Sequence, residues 1–145
     1  MSGQLFNSFL ARAVRDYLTG DIRAALLMSA TTASAQNDGI QFVGDFTTLD
    51  ECDAAGYARV SLTSEDVAVD DANDRAVFDA DDLTFSGLGG DATRDYVGVL
   101  VYRHVTDDSD SEVIAFVQFA VSEVKTVTAV PVQWSSAGLM LFERV

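Results

Sequence analysis

Apolar residues recur at helical spacing in one part of the chain, near its start. Leu5, Phe6, Phe9, Leu10, Ala13, Val14, Tyr17 and Leu18 fall on one broad arc, while Arg12, Arg15 and Asp16 lie elsewhere on the wheel. This predicts an amphipathic helix over residues 4–18, stopped by Gly20 in the position a helix C-terminus prefers. The period then shortens. "DIRAALLMSA" places Ile22, Ala24, Leu26 and Met28 on one side of a buried strand. In "FTTLDECDAAGYARV", Thr48 and Glu51 have the spacing of a capping box and Gly56 follows, which predicts a short helical turn. "GYARVSLTS" alternates as a half-buried strand does.

The second half is rich in β-branched and aromatic residues: "YVGVLVYRHV", "EVIAFVQFAV", "TVTAVPVQW" and a closing "GLMLFERV". Loop-like "TDDSDS" and "SEVK" separate the first three runs, and Pro131 marks an edge strand or a bulge. The expected fold is mainly β: an antiparallel β-sandwich or small barrel with one N-terminal amphipathic helix, as a single domain over residues 1–145.

Composition sharpens this picture. Hydrophobic residues make up 48% of the chain, enough for a packed core. Charge is lopsided, at −14, with 18 Asp and 5 Glu against 8 Arg and the single Lys125. Such a surface repels nucleic acid and anionic membranes, so neither is an expected partner. It also repels itself, unless salt shortens the Debye length to about 3 Å, as it does near 1 M. Aspartate in excess over glutamate, with lysine nearly absent, points to a halophilic origin. The N-terminal stretch carries charges throughout and has no continuous apolar core, so no secretion signal is expected and synthesis in the cytoplasm is the expectation.

Candidate chemistry is sparse. "VDDANDRAVFDADDL", residues 69–83, is dense in aspartate but lacks the glycine and glutamate of an EF-hand loop. Looser cation sites at Asp79, Asp81 and Asp82, or at Asp107, Asp108 and Asp110, compete with a simpler reading as turns with solvated acids. His104 has no nucleophile motif around it, and Cys52 stands among acids that disfavour a thiolate. "SGLGGD" at 86–91 lacks the Lys-Ser/Thr of a phosphate loop. No catalytic residue, cofactor or specific metal is expected, and the chain is not expected to be an enzyme.

Four pieces, in order along nearly the whole chain, resemble a family of small β-rich virion structural proteins of tailed viruses. They are the N-terminal helix with "LTGDIRAALLMSA"; "DFTTLDECDAAGYARVSLT"; "AVFDADDLTFSGLGGD" running into "YVGVLVYRHV"; and "VPVQWSSAGLMLFERV". The resemblance implies a non-enzymatic virion component, and with the acidic composition a virus of a halophilic archaeon. The favoured expectation is a capsid decoration, cement or turret subunit that self-associates as a homo-oligomer and binds the major capsid protein. Phe6, Phe9, Tyr17, Trp134, Met140 and Phe142 are its candidate assembly contacts, with core packing as the competing reading for each. Two alternatives stand beside it. One is a tail-tube, tail-terminator or head-to-tail connector subunit. The other is a host-glycan-binding module, with Trp134, Tyr57 or Tyr102 stacking on a sugar.

Overall fold

The computed structural model describes residues 5–35 and 39–143. The fold is mainly β, with antiparallel sheets and one N-terminal helix; the sheets are sandwich-like and do not close into a barrel. The chain forms two compact units, each assembled from separated stretches.

The smaller unit takes residues 1–19, 62–82 and 133–145. Its helix α1 spans Asn7–Tyr17, shorter than the apolar arc predicted, and the Leu18 N–H donates to the Val14 carbonyl at its end. Three strands follow: β3 (Asp66–Asp70), β4 (Arg75–Asp79) and β9 (Met140–Glu143), paired in the order β3-β4-β9. Helix α1 packs on β3 and β4. Ala11, Val14 and Leu18, spaced three and four apart, are buried, as are Val67, Ala76 and Phe78 on the strands. The Arg15 guanidinium donates to the Val67 carbonyl, and the Asn7 amide to Asp71 Oδ1 at 3.0 Å, which tie the helix to the β3–β4 hairpin.

The larger unit takes residues 20–61 and 83–132. Its main sheet contains β1 (Asp21–Met28), β2 (Val60–Ser61), β6 (Tyr96–His104) and β7 (Glu112–Glu123) in the order β2-β1-β6-β7. A second layer pairs β5 (Leu83–Ser86) with β8 (Ala129–Val132). Pro131 is exposed and sits in β8, whose only ladder is with β5, so its missing N–H costs no sheet bond on the open side.

β1 is buried on both faces from Ala24 to Met28, and its edges are paired with β2 and β6. One face gathers Ala25, Leu27, Leu100, Tyr102 and Val43, with Phe46, Leu49 and Phe116 against them. Gly98 admits the Phe116 ring there, since a Cβ would stand 2.7 Å from its nearest ring carbon. Phe85, Val130 and Val132 of the second layer are buried too, and the Phe85 ring lies 6.0 Å from that of Tyr57.

The short helix expected at residues 48–56 is absent; a 3-10 turn at Val43–Asp45 is present instead. Cys52 N–H donates to the Leu26 carbonyl and Met28 N–H to the Asp50 carbonyl, so this stretch runs beside β1 as an edge. Asp50 reaches that path with φ +49, a conformation aspartate tolerates better than most side chains.

Candidate assembly surface

All six candidate contacts fall in the smaller unit. They divide into two kinds. On α1, Phe6 is 70% and Phe9 60% exposed, one turn apart, with Tyr17 45% exposed two turns further on. Leu5, at 51%, extends the same patch. The cause is width: the apolar arc of the helix is broader than the strip that β3 and β4 bury, and Ala11, Val14 and Leu18 use up that strip.

The remaining three are half-buried. Met140 and Phe142 stand in register with Phe78 and Ala76, on the face whose centre the core occupies. Trp134 is a clamp: its indole N–H donates to the Asp81 carbonyl at 2.9 Å and its backbone N–H to Asp82 Oδ1 at 2.9 Å. Trp134, Met140 and Phe142 are thus partly covered within the smaller unit, while Phe6 and Phe9 present their rings to solvent. Among the proposed sugar-stacking residues, Tyr102 is fully buried and cannot serve, and the Tyr57 hydroxyl is engaged inside the larger unit.

That engagement belongs to a polar network the sequence reading missed. Arg59 Nε and Nη2 donate to the two oxygens of Glu51 at 2.7 and 2.6 Å. Nη1 and Nη2 donate to the oxygens of Asp108 at 2.5 and 2.9 Å, and Nη1 to the Tyr102 hydroxyl at 3.2 Å. A guanidinium has five N–H donors, and these five bonds use them all. The Tyr57 hydroxyl donates to Glu51 Oε1 at 2.7 Å and accepts from the Leu26 N–H at 3.1 Å.

Each titration follows from these contacts. The hydrogen bonds to Glu51, then to Asp108, raise the Arg59 guanidinium above its ordinary range. Burial, then the Glu51 charge, raises the Tyr57 phenol. The Arg59 hydrogen bonds hold the Asp108 carboxyl below the usual carboxylate range. The network joins the β1 edge to the 105–111 loop, and no donor of Arg59 is left over to hold a ligand.

His104 does meet a serine: Ser111 Oγ lies 3.4 Å from His104 Nδ1. Ser111 is fully buried, however, and its hydroxyl donates to the Asp107 carbonyl at 2.6 Å while accepting from the Val105 N–H at 3.2 Å. The pair locks a turn. Cys52 is buried, and desolvation pushes its thiol up.

Many of the aspartates are also spoken for, several of them by loop backbone. Asp45 accepts from the N–H groups of Gln41 and Phe42, Asp53 from Thr93, Asp91 from Ala55 and Asp95 from Lys125. In the 105–111 loop, Asp110 accepts from Thr106 and Asp107, and Asp107 from Ser109. Asp81 receives the hydroxyls of Thr63 and Ser64. Among the described residues, no three His, Cys, Asp or Glu side chains are grouped to hold a metal ion. A short carboxylate that folds back on nearby amides is what irregular loops use, and glutamate reaches less well. Part of the bias toward aspartate thus has a local structural cause.

The chain matches no family model, no curated protein and no solved structure.

Proposed function

We propose that this chain is a non-enzymatic virion structural protein, a capsid decoration subunit of a tailed virus that works in concentrated salt. The observation that carries the assembly role is the pair Phe6 and Phe9, exposed on a helix whose opposite side is already packed. Three groups able to do chemistry are engaged or buried: Arg59 is saturated, the Ser111 hydroxyl is bound to a carbonyl, and the Cys52 thiol is buried. Outside are apolar rings set in an acidic surface, which suits a protein that acts by adding contact area between subunits. The virion assignment is supported by the resemblance of the four ordered sequence segments.

The alternative of a ring-forming tail or connector subunit draws on a different feature. Edge strand β7 carries Val121 at 79% exposure, where a neighbouring chain could add.

Immunogold electron microscopy of particles held in molar salt tests the proposal. Gold over the head or at its vertices is the expected result. Gold confined to neck or tail replaces decoration with the ring reading, and no label on disrupted particles overturns the virion role.

A further inference from the structure

We infer that α1 is a self-association surface: a second copy of the chain docks its own α1 against it about a two-fold axis. This rests on the reading of the chain as an assembling protein, but not on where in a particle it sits.

Area is the first argument. Aromatic side chains offer about 150–250 Å² each, so the exposed fractions of Phe6, Phe9 and Tyr17, with Leu5 beside them, amount to roughly 400 Å² per copy. Pairing two such stripes removes about 800 Å² of apolar surface. A standard interface buries about 1,600 Å² in total, of which a little over half is apolar. The stripe therefore supplies close to the apolar complement of one complete interface without calling on the rest of the surface.

Charge selects the occupant. Residues 5–19 contain Arg12 and Arg15 against Asp16, a formal +1 in a chain of −14. Two copies approaching through α1 meet over this segment, with Asp71 and Asp74 of the β3–β4 turn beside Asn7 at its N-terminal end as the flanking carboxylates that salt must screen. Arg12 and Asp16 are themselves largely exposed and 3.9 Å apart, so that Asp16, seven residues after Phe9 and on the same side of the helix, has a cation near it. An isologous pair also matches like with like, so the rings of one helix meet the rings of the other in the offset or edge-on arrangements aromatics favour. Salt acts in one direction here. It screens the residual repulsion between the two acidic bodies and strengthens apolar contact.

Sedimentation of the full chain in molar potassium chloride, over a concentration series, decides the matter. The expected result is a monomer–dimer equilibrium. The double variant Phe6→Ser/Phe9→Ser should weaken it on the order of 100-fold, the scale of losing central interface aromatics. Val121→Ser on β7 should leave it unchanged. A chain that stays monomeric at every concentration overturns the inference, as does a dimer broken by Val121→Ser and indifferent to the double variant. If the double variant does not fold, Ala13→Cys gives an independent reading, because Ala13 is exposed and Cys52 is buried. Mild oxidation should capture a disulfide-linked dimer in molar salt, and its absence overturns the α1 contact. Gold on the head with a monomeric chain would sink this inference alone. A dimer with no gold on particles would sink the virion role alone.

Discussion

Asp66 and Asp79 stand directly opposite each other across the β3–β4 ladder, both exposed. Like charges in that position oppose strand pairing by about 0.2–1 kcal/mol in dilute buffer. In molar salt the Debye length of about 3 Å cancels most of this. Asp66→Lys should therefore stabilise the protein by about 0.5 kcal/mol at low ionic strength and have almost no effect in molar potassium chloride. Urea titrations at the two salt levels check it. Equal gains at both would show that the charge pair is not the cause.

The same reasoning applies to the whole chain. At a net charge of −14, dialysis into dilute buffer should cause partial unfolding or disassembly, visible by circular dichroism and reversed on returning salt. Full folding and assembly in dilute buffer would remove the halophile argument.

Arg59 is the residue on which the larger unit should depend most. Its side chain is 21% exposed and bonded to two carboxylates, so Arg59→Leu leaves Glu51 and Asp108 without their cation. Removing one partner of a largely buried pair costs up to about 3–5 kcal/mol, and solvent screening at this partly exposed site lowers the expectation to about 2–3 kcal/mol. Arg59→Lys should recover only part, because an ammonium cannot supply five donors in the guanidinium's fixed, forked geometry. Urea denaturation of the three proteins gives the order.

Acid should unfold the protein by a defined route. Asp45, Asp53, Asp70, Asp108 and Asp110 all have carboxyls held below the ordinary value, by hydrogen bonds from loop amides, side chains or Arg59. Groups with depressed folded-state pKa stabilise above the unfolded value of about 3.9, and that contribution is lost as pH falls through the folded one. Melting temperature in molar salt should hence be level from neutral pH to about 5 and fall below about 4. A protein growing more stable through that acid range would contradict the loop assignments.

Cys52 offers a simple probe of the core. Burial raises its thiol, and its backbone N–H is bound to the Leu26 carbonyl. Ellman's reagent should react with it only as urea unfolds the larger unit, with the same midpoint as circular dichroism. Rapid reaction in the native state would place it outside the core.

What could be read from the chain was whatever depended on local period. α1, β1, β6 and β7 each carry enough consecutive patterned residues to declare themselves. The Thr48–Glu51 capping box did not form because Glu51 spends both carboxylate oxygens on Arg59 and one also on Tyr57, and no local pattern records that competition. The network is hidden for the same reason, since residues 51, 59, 102 and 108 meet only after the sheet is built. The two units leave no mark in composition. The chain passes from one to the other within stretches such as "DADDLTF", where only three residues separate the end of β4 from the start of β5. Exposure on α1 was visible only as a surplus: the helix has more apolar positions than a three-stranded sheet can cover.

The carboxylates tied to loop amides also sort the acids for anyone wishing to redesign this chain for ordinary buffers. Asp45, Asp53, Asp91, Asp95, Asp107 and Asp110 serve as staples, and neutralising them would loosen the loops that hold the strands in register. Glu65 and Asp66, exposed on the smaller unit, are the places to begin trimming charge. The acidity of the protein is thus two populations in one composition, a removable coat and a fixed set of fasteners.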